Sequence, residues 1–147
     1  MTDTVNGYLS ADHDRLDRLL AEASERLRAG DVAVAAQVLA EFAGGLRRHI
    51  RLEDELLFPT FDRVTGMNGG PTAVMRQEHR AIERHLELMV AAVDRHDLGA
   101  YADEKLAMLD VLGDHNDKEE AIVYPMTDAG LPEGERAALV ASLRAFR

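Results

Sequence analysis

At 147 residues, with no cysteine and a formal net charge of −10, the chain is long enough to bury a core unaided and has no disulfides, thiolate metal sites or thiol nucleophiles. Its 27 Asp and Glu against 17 Lys and Arg argue against nucleic acid or an anionic membrane as partner, and part of that negative charge is available to hold cations. No segment approaches the roughly 20 apolar residues of a membrane span, and no basic-then-apolar leader opens the chain, so the expectation is a soluble, cytoplasmic, single-domain protein over residues 1–147.

Helical periodicity runs through the sequence, and strand-like alternation is nowhere sustained. Ser10 reads as an N-cap with Asp12 and Asp14 behind it, and Leu9, His13, Leu16, Leu20, Ala23 and Leu27 step by fours and threes as far as Gly30. Asp31 reads as the cap of a second helix whose stripe is Leu39, Phe42, Leu46, His49, Glu53 and Leu56. Pro59 is expected to end or kink it, because proline lacks the N–H and clashes with the preceding turn. Gly66, Asn68, Gly69, Gly70 and Pro71 make residues 63–71 the clearest loop. A third helix from near Thr72 carries Met75, His79, Ile82, Leu86, Met89 and Val93 up to a turn at 96–99. A fourth carries Met108, Leu112, His115, Glu119 and Ile122 before Pro125. Beyond Gly130, Leu139, Leu143 and Phe146 form a short amphipathic segment that suits one end of a bundle. Short connections imply antiparallel neighbours, so the pattern predicts an all-α, up-down-up-down four-helix bundle with a short C-terminal helix.

The chain is one unit written twice. His49 to Pro59 reads His, three residues, Glu, an acid, three residues, an aromatic and Pro; the same order returns from His115 to Pro125, 66 positions later. The same step carries His13 to His79, so the repeat units span about 8–65 and 72–128, each with two histidines and a following acid. Residues four apart share a helix face, which aims His49 with Glu53, and His115 with Glu119, into one layer. Bringing the copies together gathers four imidazoles and two carboxylates among apolar neighbours. An unpaired buried polar group costs about 1–3 kcal/mol, and metal ions remove that cost, because imidazole and carboxylate are ligands that iron and manganese accept. If Glu53 and Glu119 each bridge two ions, every ion has two histidines and two carboxylates. Positions then remain for an oxo or hydroxo bridge and a small ligand.

His13, His49-x3-Glu53, His79-x3-Glu83 and His115-x3-Glu119, with Phe58-Pro59 and Tyr124-Pro125, resemble the pattern of the hemerythrin-like, or HHE cation-binding, proteins over roughly residues 8–128. The resemblance implies a four-helix bundle around a non-haem di-iron centre, with activities spanning dioxygen binding, iron or oxygen sensing, and nitric oxide or peroxide chemistry. It differs from the oxygen carriers of that family in having Glu83 where they have a further histidine, and Glu120 beside Glu119 where they end on an acid. A carboxylate in place of imidazole stabilises the ferric state, which shifts the expectation from reversible oxygen carriage toward oxidant processing or iron handling.

The expected metal ligands are therefore His13, His49, Glu53, His79, Glu83, His115 and Glu119, holding two iron ions. Asp17 is expected behind the ligands, and Asp54 and Glu120, about 100° around the helix from the bridging glutamates, beside arginine or water. His85 and His96 break the repeat and read as surface residues; Tyr8 and Tyr124 each lie five residues from a ligand position, which leaves open a hydrogen-bond donor, a radical relay or a ligand at the site, with ordinary packing as the favoured reading. The leading expectation is a di-iron protein meeting a small diatomic or peroxide ligand, as a monomer or small homo-oligomer. Redox sensing through a partner and iron storage in a cage are the competing classes.

Overall fold

A computed structural model describes residues 3–147, and every regular element among them is helical. Helix α1, Val5–Arg28, starts before the expected Ser10: the Thr4 hydroxyl accepts from the Gly7 N–H at 2.9 Å, and the Asp128 carboxylate accepts from the N–H groups of Val5 and Asn6 at 2.8 and 3.0 Å. Those contacts satisfy the free donors of the first turn, which leaves Ser10 inside the helix, donating to the Asn6 side chain. Asp31 does cap α2, Val32–Leu52, through the Val34 N–H. Midway along α2, a Cβ on Gly45 would lie 2.8 Å from Leu16 Cδ2, so Gly45 lets the Leu16 side chain of α1 lie close against the α2 backbone.

Pro59 does not end the helical run. The chain passes from α2 through a π-helical turn, Glu53–Leu57, into α3, Phe58–Thr65. In that turn the Phe58 N–H bonds the Glu53 carbonyl, five residues back. The acceptor that the same register would assign to Pro59 is the Asp54 carbonyl, which Pro59 cannot use; Arg76 Nη1 donates to it instead at 3.0 Å. The second copy repeats the device: α5, Leu98–Lys118, runs through a π-helical turn, Glu119–Val123, into α6, Tyr124–Gly130, with Pro125 in its first turn. Between the copies, α4, Gly70–Asp94, follows a loop shorter than expected, with Gly66 and Gly69 in the left-handed region at φ 69° and 82°.

Two apolar clusters sit at opposite ends of the bundle. One gathers Leu20, Leu39, Phe42, Leu86 and Met89; the other gathers Leu52, Leu57, Phe58, Phe61 and Val123. Burying each such side chain contributes about 1.5–3 kcal/mol. Helix α7, Glu133–Ala145, closes the second cluster with Val140 and Leu143, while Leu139 and Phe146 pack at its edge as the amphipathic pattern predicts. Arg48 fixes that helix by donating to the carbonyls of Leu143 and Phe146 at 2.7 and 3.0 Å. Among the described residues no helix is long and apolar enough to cross a membrane.

Candidate metal centre

Each long helix places one histidine between the two apolar clusters: His13 on α1, His49 on α2, His79 on α4 and His115 on α5. All four are buried, and Glu53 and Glu119 are 0% exposed, so their carboxylates do not face bulk solvent. One ligand atom each from His13, His49, Glu53 and Glu119 lie within 4.8 Å of one another, and so do one each from His79, His115, Glu53 and Glu119. Both glutamates thus belong to both groups. Glu53 turns Oε2 to His49 Nε2 at 3.1 Å and Oε1 to His79 Nε2 at 3.0 Å; Glu119 turns Oε1 to His13 Nε2 at 3.3 Å and Oε2 to His115 Nε2 at 3.2 Å.

The opposite edge of every ring is held by an acid from another helix. His49 Nδ1 lies 2.8 Å from Asp12, His79 Nδ1 2.8 Å from Asp54, His115 Nδ1 2.9 Å from Glu78, and His13 Nδ1 2.7 Å from Glu120. An ionised carboxylate only accepts, so each Nδ1–H donates, and each Nε2 faces the centre. The acids obey the same 66-residue step, Asp12 with Glu78 and Asp54 with Glu120. Asp54 also receives Arg80 at 2.6 Å, and Lys118 reaches Glu78 at 2.7 Å, so the expectation that Asp54 would lie beside arginine holds but omits its main task.

This orientation crowds lone pairs together. Neutral rings anchored through Nδ1–H present Nε2 acceptors to carboxylate acceptors, and Glu119 Oε2 is buried with no hydrogen-bond partner among the described residues. Without a cation, protons fill the gap. Burial disfavours a charged ring, yet Glu53, with Asp12 behind, raises His49 to about 10. At His115 burial is likewise outweighed, by Glu119 and Glu53, and its pKa rises to about 11. His13 and His79 move in the same direction. For Glu53, burial favours the neutral acid, but His49 and its neighbours drive it well below the ordinary carboxylate range.

The π-helical turns explain a residue whose place the periodicity leaves open. In an α-helix, side chains five apart diverge by about 140°; the wider turn brings them back to one face, so Tyr124 joins Glu119. Its hydroxyl lies 2.9 Å from Glu119 Oε1 and 2.5 Å from Glu53 Oε2, inside the centre and not in ordinary packing. Burial, Glu119 and Glu53 together hold its proton well above the usual phenol range.

Glu83, expected among the ligands, lies outside the cluster: half-buried on α4, it takes Arg80 Nε at 2.6 Å. Asp17 is exposed on the lining of the cleft below His13 and holds no imidazole, the place expected of it being filled by Glu120. Tyr8 does pack, under the Arg144 guanidinium. His85 is half-buried and meets Glu104 on α5 at 2.7 Å, a link between helices where a surface residue is expected; His96 is exposed in its turn.

Fold and layer together define a helical bundle that presents a histidine and carboxylate set to cations. A family model, the hemerythrin HHE cation binding domain, matches residues 4–127, and the chain belongs to that family. Comparison with curated proteins and with solved structures returns no significant match. The donor set fits the metal the family implies, typically iron: eight inward-facing N and O atoms, one of them a buried carboxylate oxygen otherwise unpartnered, are what a hard or borderline cation requires.

Proposed function

We propose that the centre holds two iron ions, and that the protein is a non-haem di-iron protein which binds and reacts with a small oxidant: dioxygen, peroxide or nitric oxide. The observation that carries the reading is the sharing of Glu53 and Glu119 between two histidine pairs, one oxygen of each carboxylate turned to each pair. The 66-residue step relates ligands, anchoring acids and π-helical turns alike, which supports four long helical runs arranged up-down-up-down as two related halves.

When bound, iron supplies the redox chemistry. The chain supplies a fixed cradle: Asp12, Asp54, Glu78 and Glu120 lock the ring orientations, and second-layer bonds of this kind raise ligand basicity. Leu16, Leu46, Ile50, Ile82 and Leu112 line the cavity beside the ligands, which favours a small uncharged guest. At about 10 Å³ it has room for a water-sized molecule and none for an organic substrate.

The test is an optical titration. The protein is loaded with ferrous iron without air, exposed in turn to dioxygen, peroxide and nitric oxide, and then degassed. Irreversible oxidation with continued consumption of one of the three supports oxidant processing, and a coloured adduct that vanishes on degassing restricts the function to reversible binding. No spectral response to any of them overturns the reading.

A further inference from the structure

Tyr124 touches every donor of one histidine pair's group. Its Oη is 2.5 Å from Glu53 Oε2, 2.9 Å from Glu119 Oε1, 3.1 Å from His13 Nε2 and 3.3 Å from His49 Nε2. Hydrogen bonding accounts for only part of this set. Even with Nε2–H of both rings donating to Oη, the phenol's one proton serves one carboxylate, and the other carboxylate oxygen faces Oη with no proton between them. The distances match another arrangement: atoms that share one cation with bonds near 2.0–2.2 Å and right angles lie about 3 Å apart.

The corresponding residue of the first copy has no such atom. Phe58 stacks on His79 with ring centroids 5.3 Å apart, as Tyr124 sits 5.7 Å from the His13 ring, but a phenylalanine edge offers no ligand. The other aromatic hydroxyls lie elsewhere, Tyr101 bonding Ser24 at 2.8 Å and Tyr8 lying under Arg144.

We infer that Tyr124 is a metal ligand, its phenolate oxygen completing a five-donor set with His13, His49, Glu53 and Glu119, while the ion at His79 and His115 keeps four protein donors. On loading, the O–H bond is replaced by an O–metal bond and the proton leaves to solvent. The two ions are then chemically different, and the small oxidant is directed to the one held by His79 and His115, beside Phe58. This inference rests on the di-iron reading above.

The experiment is resonance Raman spectroscopy of the ferric-loaded protein, with iron content measured in every sample. Wild type is expected to show a visible tyrosinate-to-iron band with phenolate ring modes that shift when ring-deuterated tyrosine is incorporated. Tyr124→Phe is expected to lose both, and Phe58→Tyr to strengthen them. The protein has three tyrosines, so the double variant Tyr8→Phe/Tyr101→Phe retains Tyr124 alone and must keep the signal, which preserves the test if Tyr124→Phe loads poorly. Two irons per chain without phenolate modes, or modes that survive in Tyr124→Phe, overturn this inference alone. Wild type that holds no iron pair overturns the di-iron reading instead.

Discussion

Where the first copy leaves its π-helical turn on Phe58, the second leaves on Tyr124, and the two halves of the layer differ there more than in their ligands. The anchors differ too. Asp54, which holds His79, is half-buried and also takes Arg76 and Arg80; Glu120, which holds His13, is exposed and has no second partner among the described residues. The 66-residue step thus keeps the inward-facing histidines and glutamates alike and varies what surrounds them, so on the proposed di-iron reading the two halves would serve their ions unequally.

The strongest way to break the comparison is to remove what both halves share. Glu119→Ala or Glu53→Ala is expected to lower iron from two per chain to one or none by metal analysis. It should also abolish most of the thermal stabilisation that iron confers on wild type, which is about 2.7 kcal/mol per site when free iron stands 100-fold above its Kd. Retention of both ions in either variant would mean the glutamates are not shared.

A smaller effect separates the halves. Asp54→Ala is expected to weaken iron binding by roughly 10- to 100-fold in chelator competition, because the His79 ring loses its orientation. Glu120→Ala should cost less, since its solvent-exposed carboxylate is the looser anchor. Equal losses would remove the asymmetry of the anchors.

Proton and metal compete for the same atoms, which gives pH a defined sign. The folded-state pKa values of His49 and His115 lie above the ordinary value, at about 10 and about 11. Their contribution to the iron-free fold is therefore complete below about 6.5, and is lost as pH rises through those values. Urea denaturation of the iron-free protein should show stability falling above neutrality, while iron affinity rises over the same range as ligand protons become easier to displace. The smallest effect belongs to Glu83→Gln, which should leave iron content unchanged and stability within about 0.5 kcal/mol, as expected of a side chain that only meets the exposed Arg80.

Much of this centre is legible in the sequence. The four histidines, Glu53 and Glu119 follow from helical spacing and a repeated offset, because both are properties of the chain itself, and the same offset marks Asp12 with Glu78 and Asp54 with Glu120. That those acids hold the neighbouring helix's imidazole is set by packing between helices, which periodicity within one helix does not describe. The place of Tyr124 is left open for a local reason: a step of five leaves the inward face in an α-helix and returns to it in a π-helical turn, and Pro59, expected to end or kink its helix, and Pro125 are the residues that accompany that turn. Glu83 sits four residues after His79, as Glu53 does after His49, yet without a π-helical turn it stays with Arg80.

The most direct test of the shared-carboxylate layer is native mass spectrometry of the wild-type protein titrated with ferrous iron in the absence of air. Uptake of two ions per chain, with neither Glu53→Ala nor Glu119→Ala exceeding one, is the result expected of two histidine pairs bridged by both glutamates. Saturation of wild type at a single ion, or at none, would contradict it.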